Sequence, residues 1–187
     1  MSQFEYVIAF VSILLALAVA EILAGLGRLI RERDHVRVYW VHVAWMLLAI
    51  LATTQTWWVM WNIRTHEFAS YFEFLAMILP QLIFVLVAFL LAPPVSSDKA
   101  FDLREYYFHQ IKWVAPLFAA SLLGILLYRS LLGVEKPLTL INAIRIVVAG
   151  LVVTLGFTKS PRVHEGAVVL IGGLFPAAIV ILFLQRG

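Results

Sequence analysis

"LALAVAEILAGLGRLIRER", residues 15–33, runs through six apolar residues to a glutamate at position 21. Six more uncharged residues follow before arginines at 28, 31 and 33. With the apolar residues from Phe4 onward, it reads as a helix crossing a bilayer and emerging at a basic interface. Glu21 is the anomaly in that helix. A charge at mid-bilayer costs at least ~2.5–3.5 kcal/mol on insertion scales, so such a group is expected to face protein or a cavity. At i, i+3 and i+7 spacing Glu21 shares a stripe with Ala18, Gly25 and Arg28, small enough to admit a neighbouring helix closely.

Composition extends this reading to the whole chain. Of 187 residues 63% are hydrophobic and only 13% charged, with mean hydropathy +0.97, whereas a soluble domain carries about 25% charge. No polar stretch is long enough to build a soluble core. The net charge of +3 comes from 14 Lys and Arg scattered through short loops, which gives no basic face for nucleic acid. The absence of cysteine excludes disulfides, iron–sulfur clusters, thiolate metal sites, S-acylation and a cysteine nucleophile.

Six continuous apolar stretches, at about residues 4–27, 39–61, 69–92, 113–132, 138–157 and 166–184, predict an all-α integral membrane bundle of six transmembrane helices forming one domain over residues 1–187. Ala18-Val19-Ala20 mimics a signal-peptide cleavage site, but "MSQFEY" lacks a basic lead and the apolar run continues past it, so the first stretch is kept as a span. If the N-terminus is outside, Arg28, Arg31, Arg33, Arg37, Lys99, Arg104, Lys112, Lys159 and Arg162 fall inside, against Arg64, Arg129, Lys136 and Arg186 outside. The positive-inside rule therefore predicts both termini on the outer, periplasmic side. Trp57, Trp58, Trp61, Tyr106, Tyr107 and Trp113 mark interfaces consistently with these edges.

The longest loop, "PPVSSDKAFDLREYYFHQIKW" from Pro93, reads as an interfacial amphipathic helix before the fourth span. Ser97 or Asp98 would be its cap, and Pro116 would mark a start or kink. A faint echo relates Phe10, Glu21 and Gly25 to Phe118, Arg129 and Gly133 at constant offset, as in inverted-repeat transporters.

Candidate functional groups are the polar residues within spans. Arg145, near the middle of the fifth, cannot shed its proton and must find an acceptor, water or an anion. Glu21 and Glu73 are its candidate partners. Gln55 brings an amide to mid-span among Thr53, Thr54 and Thr56, whose hydroxyls can bond their own helix. Pro80-Gln81 suggests a kink or a hinge. His42 could relay protons with Glu21, and His42 with His109 is the best-placed pair for a bis-imidazole haem. No metal-ligand spacing, nucleophile elbow, zinc-protease motif or phosphate loop occurs, so nothing asks for an enzyme.

The segments "FEYVIAFVSILLALAVAEILAGLGRLI" and "VHVAWMLLAILATTQTWWVMWNIR" resemble the start of a loose group of small, uncharacterised bacterial membrane proteins. The likeness rests on Phe4-Glu5-Tyr6, the Glu21 to Arg28 segment, His42, Trp45 and Trp57-Trp58-Trp61. It implies a bacterial inner membrane and brings no activity. The expectation is thus a small channel or transporter for an ion or solute, with room for proton coupling, its polar path using Glu21, His42, Gln55, Glu73 and Arg145. The alternatives are an accessory or scaffold subunit, as a homo-oligomer or with a membrane protein partner, and then a haem-binding redox subunit.

Overall fold

The computed structural model describes residues 3–96, 99–136 and 139–184, with side chains as far as Phe175. Six α-helices dominate it: α1 (Gln3–Arg31), α2 (Trp40–Val59, prolonged by a 3-10 turn Met60–Ile63), α3 (Tyr71–Leu91), α4 (Leu103–Leu131), α5 (Leu140–Leu155) and α6 (Pro161–Leu184). Two two-residue strands, β1 (Val36–Arg37) and β2 (Phe101–Asp102), pair in parallel with Val36 opposite Phe101. They tie the α1–α2 and α3–α4 loops together at one end of the bundle, which we call the Arg28 end. The opposite end holds the α4–α5 turn and is called the Arg129 end.

The all-α bundle is as expected, but the count of six transmembrane spans is not. Among the described residues four helices are long and apolar enough to cross a membrane: Gln3–Arg31, Trp40–Ile63, Tyr71–Leu91 and Leu103–Leu131. Helix α5 has only 16 residues, about 24 Å at 1.5 Å per residue against a hydrocarbon core of about 30 Å. The 138–157 stretch overestimates it because Thr139 is its N-cap and Gly156 its C-cap. Helix α6 is not among the four either: Arg162, His164 and Glu165 occupy its first turns, and its apolar remainder runs beyond the described side chains.

The separate interfacial helix is also corrected. Residues 103–112 are the first turns of α4, a single 29-residue helix that continues through Pro116. Ser97 and Asp98 lie outside the described residues. The cap is Asp102, whose carboxylate accepts from the backbone N–H groups of Arg104 (2.8 Å) and Glu105 (3.1 Å).

Periodicity decides which side of each helix meets protein. On α1, Val7, Val11, Leu14, Ala18, Ile22, Gly25 and Leu29 are buried at spacings of three or four, the seam of a packed helix pair. Tyr6, Phe10, Ile13, Leu17, Leu23 and Ile30 are exposed on the same helix, and similar large apolar residues are exposed on α2, α3 and α4. A soluble bundle would put polar residues there; apolar residues on both faces fit a bilayer as solvent.

The closest packing joins α3 to α4. Pro80, inside α3, has no N–H and breaks the helix's own ladder. Its ring sits against Gly124 of α4, and its carbonyl accepts from the Ser121 hydroxyl at 2.9 Å. A Cβ on Gly124 would stand 2.7 Å from Pro80 Cγ, so the small residue is a steric requirement of this crossing. Gly124→Ala should therefore destabilise the protein by roughly 1–3 kcal/mol through overpacking against a rigid ring. Gly150→Ala, with nothing within 4 Å of its new Cβ, should be neutral or gain up to ~1 kcal/mol of helix propensity. Thermal unfolding of both variants in detergent checks this, and equal shifts would remove the steric explanation.

Candidate functional site

Each polar residue singled out in the sequence has an identifiable place. Glu21 does not meet Arg145. Its Oε1 accepts from Nη2 of Arg28, two turns along α1, at 3.0 Å, and both side chains are partly exposed. Arg28 in turn donates from Nε to the carbonyl of Pro93 at 3.0 Å. The stripe faces a neighbour as predicted: a Cβ on Gly25 would lie 3.0 Å from Met46 Cε and 3.1 Å from both Ala92 Cα and Pro93 Cδ. Glu21 thus orients the arginine that holds the end of α3.

His42 serves the same end. It is fully buried, and its Nε2 lies 2.8 Å from the Leu91 carbonyl. A carbonyl only accepts, so Nε2 carries the proton and Nδ1 is left bare. His109 is exposed on α4, so the two histidines of the haem reading do not face a common site. Among the described residues no group of three or more His, Asp or Glu could hold a metal ion. Glu73 belongs to the N-terminus of α3. It accepts from the Ala69 N–H at 3.0 Å while Ser70 accepts from the Glu73 N–H at 3.3 Å, a local cap that also places a negative charge at the positive end of the helix. Thr53, Thr54 and Thr56 donate to Ala49, Leu51 and Ala52 of their own helix.

Only Gln55 and Arg145 of the five path residues are brought together. They line a partly open cleft of about 130 Å³ between α2, α4, α5 and α6. Trp45, Leu48, Phe118, Leu122, Val148 and Ile171 contribute to its apolar walls, and Arg129 and Arg145 stand at the Arg129 end.

That end is built by a turn. Helix α4 stops at Leu132, and Gly133 takes φ +65°, a left-handed conformation that glycine adopts without strain. The N–H groups of Val134 (3.0 Å) and Glu135 (3.3 Å) then return to the Arg129 carbonyl. The reversal carries Glu135 back over the helix, where its Oε2 accepts from Arg129 Nε at 2.7 Å and from Arg145 Nη1 at 3.0 Å. Thr139, the N-cap of α5, donates to the other carboxylate oxygen at 3.4 Å. Asn142 accepts from Arg145 and donates to the Lys136 carbonyl at 3.0 Å.

Arg129 and Glu135 escaped the sequence reading because Arg129 counts there as a loop cation. A signal was available: Glu135 is the one acidic residue between Glu105 and Glu165, so Arg145 had no nearer carboxylate in sequence.

The electrostatics are unequal. Two guanidiniums share one carboxylate, leaving a net positive charge, and Nη1 of Arg129 is buried without a hydrogen-bond partner among the described residues. Burial alone would raise the Glu135 pKa. Hydrogen bonds and charge from Arg129 and Arg145 outweigh it and hold the carboxyl below its ordinary range. Comparison with protein-family models, with curated proteins and with solved structures found no match.

Since the native state lowers this pKa, Glu135 contributes stability that is present above the ordinary value near 4.5 and lost as pH falls through the lowered one. Glu135→Gln should cost roughly 3–5 kcal/mol at pH 7 by leaving the buried Arg129 guanidinium and the partly buried Arg145 guanidinium without their anion. The gap between variant and wild type should close only below the ordinary carboxylate range. Melting curves measured from pH 8 down to pH 3 test the sign; a gap that widens on acidification would contradict it.

Proposed function

We propose that the protein is a small membrane transporter whose solute is amphipathic and is carried in the cleft between α2, α4, α5 and α6. The observation behind this reading is the division of the cleft, with apolar walls running along four helices and the guanidiniums of Arg129 and Arg145 gathered at one end. Ligand sites are mostly apolar concavities in which a few placed polar groups fix orientation, and a solute with a head and a tail matches that layout.

The geometry favours a carrier over an open pore. Conduction of a bare ion calls for polar groups in a continuous file, whereas Glu21, His42 and Glu73 are each engaged locally, away from the cleft. Proton coupling is not part of the proposal: an arginine does not titrate, and Glu135 is held ionised between two of them. The proposed setting is a bacterial inner membrane with the Arg28 end cytoplasmic, supported by the nine Lys and Arg that the loop reading assigns to that side.

Two probes with the same tail and permanent charges of opposite sign, hexyl phosphate and hexyltrimethylammonium, test the reading in proteoliposomes. At least one should enter faster than into protein-free liposomes. Ala52→Trp, which places an indole in the cleft wall, should reduce that uptake to the protein-free rate without lowering the melting temperature by more than a few degrees. Uptake of neither probe above background would overturn the proposal, as would uptake that the tryptophan leaves unchanged.

A further inference from the structure

We infer that the Arg129 end of the cleft is a headgroup site for a single anionic oxygen group, carboxylate or phosphate, borne on an alkyl chain. The inference rests on the transporter reading above and names the chemical class of its solute.

Three observations converge on it. The first is stoichiometry: Arg129 and Arg145 both donate to Oε2 of Glu135, at 2.7 and 3.0 Å, so one carboxylate oxygen serves two cations. Thr139 approaches the remaining oxygen, which leaves no second protein anion among the described partners. The second is the orphaned donor. Arg129 is 4% exposed, and its Nη1 has no acceptor among the described residues although the side chain lines the cleft. A buried guanidinium N–H without a partner costs more than almost any other unsatisfied donor, and an anionic oxygen is the acceptor that best relieves it.

The third is what lies beyond the cations. Along the axis of the cleft the side chains turn apolar, through Leu122 and Val148 towards Trp45 and Phe118. A free inorganic anion would gain from the arginines alone, while an alkyl-chain anion also covers the apolar wall. Guanidinium is suited to carboxylate and phosphate because its planar donors match their oxygens, which an ammonium does not. The same chemistry could reach the site as a bilayer lipid or as a short-chain solute, and the two are separable by experiment.

The test uses the purified full-length protein in nanodiscs of phosphatidylcholine, with equilibrium binding of radiolabelled hexyl phosphate. Saturable binding is expected, about tenfold or more tighter than that of hexyltrimethylammonium. Arg129→Gln should weaken hexyl phosphate by about tenfold while Arg129→Lys recovers part of the loss. Inorganic phosphate should compete only at concentrations about a hundredfold higher, because it lacks the tail. Loss of hexyl phosphate binding when phosphatidylglycerol is added to the nanodiscs would support the same site and assign its occupant to the bilayer; retention would assign it to a short-chain solute. Equal or tighter binding of the cationic probe to wild-type protein overturns the inference with no variant needed, and leaves the transporter reading standing. So does competition by inorganic phosphate at the concentration of hexyl phosphate itself. Failure of both probes to bind removes the transporter reading as well.

Discussion

Helix α3 has to end inside the bundle, and Pro93-Pro94 make that end abrupt. A proline at i+4 removes the N–H that would close the ladder, so the carbonyls of Phe89 and Leu90 lose their usual partners, and the following carbonyls are the free ones of any helix terminus. Near a bilayer such groups need protein donors. Four consecutive carbonyls find them on three other helices: the Tyr106 hydroxyl of α4 donates between Leu90 (3.0 Å) and Ala92 (3.2 Å), His42 of α2 donates to Leu91, and Arg28 of α1 donates to Pro93. One helix end therefore sets the relative position of all four long helices. Gly25 permits the approach, and Glu21 aims the arginine.

The consequence is a bundle with two unlike ends. At the Arg28 end, α6 is also fastened: Tyr107 donates to His164 Nδ1 at 2.7 Å, and His164 Nε2 donates to the Thr158 carbonyl at 3.0 Å, within a set of edge-to-face rings that includes His42. At the Arg129 end, α5 is too short to span and hangs on α4 through the glycine turn and the Glu135 carboxylate. The cleft lies along this second part, bounded by α2, α4, α5 and α6.

The sequence made the frame legible because membrane helices obey local rules. Uninterrupted apolar length placed α2 and α3 to within two residues at each end, and the small stripe through Ala18 and Gly25 identified the face of α1 that meets α3. Of the two readings of Pro116, a start or a kink, the start is excluded: the residue lies inside α4, since a long helix packed against neighbours tolerates one missing bond. The glycines of the apparent repeat show a different limit. Gly25 is a packing notch and Gly133 a left-handed turn, so matching letters carry unrelated geometry. Partners of charged residues were the least legible part. Glu21 found its cation seven residues away on its own helix. Arg145 found an anion ten residues back across a turn whose reversal depends on one glycine.

The two charged clusters show why only one of them reads as a site. Glu21 and Arg28 are one anion and one cation, partly exposed, and the arginine's Nε donates to the Pro93 carbonyl as well. That unit is neutral, satisfied and structural, the usual role of an ion pair that fixes register. Arg129, Glu135 and Arg145 are two cations and one anion, with the pair at Arg129 and Glu135 more deeply buried. If the role were only to join α4 to α5, a single arginine with Glu135 would suffice, and a second permanent charge would add desolvation without adding a bond. Neither guanidinium can release its proton, so the cluster has no internal route to neutrality. Among the described residues no second anion meets that charge, and Arg129 and Arg145 both line the apolar cleft, which is why an anionic solute is proposed there.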